Sequence, residues 1–235
     1  MNKLFKNKIN FTIVFITILI IDLVVKDTLD NILFRYLSKS LIMISLIIFY
    51  LVNQKEKQKR SLYIMCLALF SFLLGDMFLI SYEMVIYYML GVFLFVSGKI
   101  FYVFRFSNQK DFKLLNLLPF LGLSFIYMFF IMHFVIDSLG SFLIPVFIYL
   151  FTCLMILLFA FLRKNEVSRT SYILVVIGVL LSVINDSITV LQSFYDSNII
   201  PHYDIFVMIM YGISQYLIVL GIIKETQSQT VVTAS

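Results

Sequence analysis

The stretch Tyr172–Phe194, YILVVIGVLLSVINDSITVLQSF, decides the fold. It is long and apolar enough to cross a bilayer as one helix. Ser182, Asn185, Asp186, Thr189, Gln192 and Ser193 recur in it at steps of 3, 4, 7, 10 and 11 from Ser182. These steps put all six on one helical face, so one side of a membrane helix is wet or paired. Asp186 stands near the middle. An isolated carboxyl there costs roughly 2.5–3.5 kcal/mol on insertion scales, so its burial calls for a structural or chemical reason. A second stretch matches it: LALFSFLLGDMFLISYE, residues 67–83, with Asp76 late in its own segment.

The rest of the chain reads the same way. Of 235 residues, 62% are hydrophobic and 13% charged, with a mean hydropathy of +1.02. This composition excludes a soluble domain and predicts an integral membrane protein with little mass outside the bilayer. Eight apolar segments fall at 9–25, 35–52, 61–81, 84–106, 114–136, 141–163, 170–195 and 203–223. They predict an all-α bundle of eight transmembrane helices over residues 1–225, followed by a short polar tail, 226–235. The basic N-terminus has no small-residue cleavage site behind it, so the first segment reads as a retained span. Asp22 interrupts that span near its outer end.

The formal charge of +5 comes from loop residues, which points to membrane topology and not to nucleic acid. One side carries Lys3, Lys6, Lys8, Lys55, Lys57, Lys59, Arg60, Arg105, Lys110, Lys113, Arg163, Lys164, Arg169 and Lys224; the other carries Lys26, Arg35 and Lys39. This asymmetry places both termini in the cytoplasm, at the plasma (inner) membrane if the source is bacterial. Cys66 and Cys153 each lie within an apolar segment and read as packing residues. There is no HExxH, no GxSxG and no Ser/His/Asp spacing. Neither metal nor cofactor is expected, and His133 and His202 read as solvated interfacial side chains.

A weak internal repeat relates the two aspartates. Tyr63 precedes Asp76 by 13 residues and Tyr172 precedes Asp186 by 14. Four spans separate the copies, which is the spacing of a 4+4 parallel pseudo-repeat about the membrane normal. At about 1.5 Å per residue, Asp76 lies about 9 Å, and Asp186 about 15 Å, below its outer turn. Tyr211 and Gln215, four residues apart, come at about the depth of Asp186. Gly91, Gly98 or Lys99, and Tyr102 share a stripe of span four, whose glycines permit close helix approach. Lys99 lies deeper. It reads equally as a snorkelling lysine and as a cavity residue that neutralises a ligand phosphate. The aspartates read equally as a buried polar knot with Asn185, Gln215 and a tyrosine, and as a functional pair.

The motifs GDMFL (75–79), GxFLFxxGKIFYxxxF (91–106), INDSI (184–188) and MYGISQYLIVLG (210–221) occur in this order and spacing. Together they resemble the YhhN family of multispan membrane hydrolases, the lysoplasmalogenases, over roughly residues 61–223. The resemblance implies cleavage of the vinyl-ether bond of a lysophospholipid, releasing a fatty aldehyde. It makes Asp76 and Asp186 the catalytic carboxyls, and Tyr102, Tyr211 and Gln215 pocket residues. Asn185, on the same face as Asp186, joins them as a binding residue. Lys99 departs from the pattern, since family members carry a histidine there, and a lysine is a poor proton shuttle near neutral pH. Vinyl-ether hydrolysis starts with protonation at carbon and passes through an oxocarbenium-like cation. It therefore suits one neutral carboxylic acid and one carboxylate, as in glycosidases. Two other classes stay open on the residues alone: a small transporter, and a non-catalytic lipid-binding protein on the same fold. Oligomeric state and headgroup are not legible.

Overall fold

A membrane segment must satisfy its backbone internally, and only helices do so within one stretch of chain. The computed structural model is accordingly helical, with no strand among the described residues, which are 2–29, 31–54, 56, 58–81, 83–107, 114–196 and 200–232. Lys55, Lys57, Lys110 and Lys113, counted for orientation, lie outside them, as do Tyr82 and residues 197–199. The helices are α1 (Asn2–Lys6), α2 (Lys8–Thr28), α3 (Ile32–Asn53), α4 (Lys59–Ile80), α5 (Val85–Phe106), α6 (Leu114–Leu139), α7 (Leu143–Leu162), α8 (Arg169–Phe194) and α9 (Tyr203–Val232).

Among the described residues, seven stretches are long and apolar enough to cross a membrane. One of them, Leu118–Leu162, is 45 residues long, or about 68 Å as a continuous helix, over twice the thickness of a hydrocarbon core. It is broken at Gly140–Phe142, where Gly140 takes φ +48°, and α6 packs on α7 beyond the break. The span number is seven or eight according to whether this stretch is divided there. Apolar side chains point outward as they do only toward lipid: Phe125, Ile126 and Phe129 on α6 are 75%, 68% and 77% exposed. The chain is a multi-pass membrane protein. For topology, reporter fusions at the C-terminus and between α8 and α9 are expected to report opposite sides; the same side from both would contradict the eight-span arrangement.

The chain divides into two compact units, residues 1–105 with 219–235, and residues 106–218. In the first, α3 packs on α2 and α4, and α1 lies against α2 and α3. Phe11 stacks on Phe49 with ring centroids 3.8 Å apart. Asn31 caps α3 by accepting from the Leu33 amide at 2.9 Å, which starts the helix three residues earlier than the apolar run suggests. Arg35 and Lys39, expected in an outer loop, therefore lie in its first turns. Arg35 pairs with the fully buried Asp22 at 2.7 Å, and Ser38 donates to the same carboxylate oxygen at 2.7 Å. The aspartate that interrupts the first span is thus neutralised by the next helix.

Two glycines bring α4 and α5 together. A Cβ on Gly75 would lie 2.6 Å from the Phe95 ring and 3.3 Å from the Gly91 carbonyl; one on Gly91 would lie 2.7 Å from Leu79. This is the close approach expected of small residues in membrane helices. At another edge of the first unit, Arg105 Nη2 meets Glu56 Oε1 at 2.7 Å and Glu225 Oε2 at 3.5 Å. Tyr50 donates to Glu56 at 3.1 Å.

In the second unit α6, α7 and α8 pack on one another around Met128, Ile131, Val135, Leu139, Val146, Leu150, Leu154 and Val190. Pro145 sits in the first turn of α7, where its missing N–H leaves no bond unmade. Gly178 gives α9 its place. A Cβ there would lie 2.9 Å from the Ser214 carbonyl and 3.1 Å from the Ile218 amide nitrogen.

Candidate active site

Ser168 starts α8 by accepting from the Ser171 amide at 3.4 Å, and the helix then runs 26 residues without a break. Its polar stripe is buried in the second unit: Ser182, Asn185 and Asp186 are each under 10% exposed. The Asp186 carboxyl is held from two helices. Tyr149 on α7 donates to Oδ1. Cys153, one turn further along α7, and Ser182 both donate to Oδ2 at 3.3 Å. On the next residue, Ser187 shares a hydrogen bond with Tyr127 of α6 and donates to the Val183 carbonyl at 2.6 Å.

Tyr211 and Gln215, on α9 of the same unit, are buried at 7% and 2% exposure. Two buried oxygens nearby in sequence, Asn185 Oδ1 and Ser214 Oγ, have no hydrogen-bond partner among the described residues. Orphaned atoms of this kind are uncommon, cost about 1–3 kcal/mol each and call for an explanation, of which an absent ligand or water is one.

Asp76 belongs to the first unit and has a different environment. It is buried, and Lys39 Nζ of α3 lies 3.3 Å from its Oδ1. One turn earlier on α4, Phe72 packs against Gly98 and against Tyr102, whose ring centroid is 5.3 Å away. Tyr102 is fully buried, and Lys99, three residues before it on α5, is 2% exposed. At that burial the Lys99 ammonium is not lifted to solvent, so the snorkelling reading does not describe it.

Sequence reasoning missed three of these side chains. Lys39 was counted with a loop. Cys153 read as a packing residue, yet its thiol bonds Asp186. Tyr149 was not singled out at all, because α7 is apolar on every side and shows no polar face. The one signal available was the spacing of Tyr149, Thr152 and Cys153 at 0, 3 and 4.

A helical multi-pass chain carrying buried, hydrogen-bonded carboxyls defines a class, the membrane proteins with an intramembrane polar site. Within it, the YhhN family pattern matches residues 34–222, and the chain belongs to the YhhN family. That membership fits a membrane hydrolase. No curated protein and no solved structure matches the chain.

Proposed function

We propose that the protein is a membrane hydrolase that cleaves the vinyl-ether bond of a lysoplasmalogen or related lysolipid by acid/base chemistry of Asp186 and Asp76. The observation that carries this reading is the burial of two carboxyls within apolar helices of a YhhN-family chain, each met by polar side chains of a neighbouring helix. The Lys39 ammonium lies 3.3 Å from Oδ1 of Asp76. Asp186 accepts hydrogen bonds from a phenol, a thiol and a hydroxyl.

In this mechanism Asp186 delivers its proton to the alkene carbon remote from the ether oxygen. The C=C bond gives up its electron pair, and the adjacent carbon becomes an oxocarbenium ion. Water adds there and yields its proton to the Asp76 carboxylate. The hemiacetal then breaks at the bond to the glycerol oxygen, which takes the proton from Asp76 while the hemiacetal hydroxyl gives its own to Asp186; a fatty aldehyde and a glycerophospho-base leave, and both carboxyls return to their starting forms. Asn185, Tyr102, Tyr211 and Gln215 are the proposed binding residues, and the orphaned Asn185 Oδ1 suits a substrate hydroxyl. Lys99 is assigned to the substrate phosphate. Lys99→Ala is therefore expected to raise KM for a phospholipid substrate much more than it lowers kcat. If neither moves beyond about twofold, Lys99 does not bind the phosphate.

The test of the function itself is mass spectrometry of the purified protein with a panel of lysolipids. Aldehyde released in step with glycerophospho-base supports hydrolysis. Uptake into proteoliposomes without turnover would favour a transporter, and binding alone a lipid-binding protein. Both termini are proposed to face the cytoplasm.

A further inference from the structure

The connection between α7 and α8 borders an open cavity of about 600 Å³ lined by Lys164, Val167, Arg169, Tyr172 and Ile173. We propose that this cavity binds the phosphate of an anionic membrane lipid, apart from any substrate in the hydrolytic site. Three observations carry the inference. First, both cations face one cavity, and neither has an ion-pair partner among the described residues. By contrast Arg35, Lys39 and Arg105, on the other helices, each meet a carboxylate. Two like charges sharing a cavity repel, and an anion between them reverses the sign of that interaction.

Second, the neighbouring charges do not fill it. Arg163 is turned away, 2% exposed, with its guanidinium 4.9 Å from the centre of the Phe106 ring. Glu166, the acidic residue of the connection, does not line the cavity. Third, the remaining lining is what a lipid headgroup meets at a bilayer interface. Tyr172 is amphipathic, Val167 of the connection is apolar, and the apolar Ile173 lies on α8, which runs on into the membrane-spanning stretch. A soluble phosphate has no use for that apolar wall, whereas a lipid has chains to lay on it. Basic pockets at helix ends on the positively flanked side are recognised headgroup sites.

Native mass spectrometry of the full-length protein in detergent, titrated with phosphatidylglycerol, phosphatidylcholine or inorganic phosphate, tests this. Phosphatidylglycerol is expected to bind roughly ten- to thirtyfold more tightly than phosphatidylcholine, from two cations at a membrane surface. The preference should vanish in Lys164→Gln/Arg169→Gln and weaken in each single variant, with unfolding temperatures unchanged. It should survive in Lys59→Gln/Arg60→Gln, which removes two basic residues from the first turn of α4. Retention in the first double variant, or equal loss in the second, would overturn the site. Inorganic phosphate that displaces phosphatidylglycerol at equal concentration would overturn the lipid assignment.

Discussion

Asp186→Asn is expected to lower turnover of a vinyl-ether lysolipid by about 10²–10⁴-fold while the protein stays folded. That is the usual contribution of a positioned general acid, and an amide cannot supply the proton. The fold should tolerate the change, because the amide oxygen can still accept from Tyr149, and the amide NH₂ in the place of Oδ2 can donate to the Ser182 hydroxyl and the Cys153 sulfur, which can also accept. Asp76 needs a different design. Asp76→Asn alone strands the Lys39 ammonium, and breaking a buried ion pair costs about 3–5 kcal/mol. Lys39→Gln/Asp76→Asn replaces the pair by two neutral, hydrogen-bonding groups and separates the effects. Stability should largely return while hydrolysis does not. Adding Asp186→Asn to it should cost little further activity, since groups that act as one unit are not additive. Activity that instead tracks unfolding temperature across these variants would make the aspartates a structural knot.

The largest expected stability loss lies at Arg105. Its guanidinium sits between Glu56 and Glu225, and all three side chains are 10% exposed or less. Arg105→Leu would leave two buried carboxylates without their shared cation, at a cost of about 3–5 kcal/mol. Removing all the charges together, in Glu56→Gln/Arg105→Leu/Glu225→Gln, should recover most of it, because the desolvation of the ions disappears with them. Unfolding of the purified protein in detergent against temperature reads both. A single variant as stable as the parent would show that the cluster contributes nothing.

The helical membrane class was legible because a bilayer constrains sequence so strongly. Stretches of about 20 apolar residues leave few alternatives, and Asp186 stands out against such a background. Partners were not legible, for reasons that differ by residue. Lys39 lies near the end of an apolar run, where a loop cation and a helical one look alike in sequence; the Asn31 cap decides between them. Cys153 and Tyr149 reach Asp186 from 33 and 37 positions away, and which face of α7 meets α8 is settled by packing. Glu56, Arg105 and Glu225 are spread over 170 positions of sequence and carry no common motif. The close approach of α4 and α5 was readable from Gly91 and Gly98, since absent side chains are visible where present ones are ambiguous.

Hydrolysis of a lysoplasmalogen in D₂O by the purified protein tests carbon protonation by Asp186 most directly. The acid's exchangeable proton becomes a deuteron, and its transfer to the alkene carbon labels the product. Mass spectrometry should find the fatty aldehyde formed in step with glycerophospho-base and carrying one deuterium at the carbon next to the carbonyl, with Asp186→Asn yielding almost none. Aldehyde without that deuterium, no aldehyde at all, or equal labelled product from Asp186→Asn would contradict it.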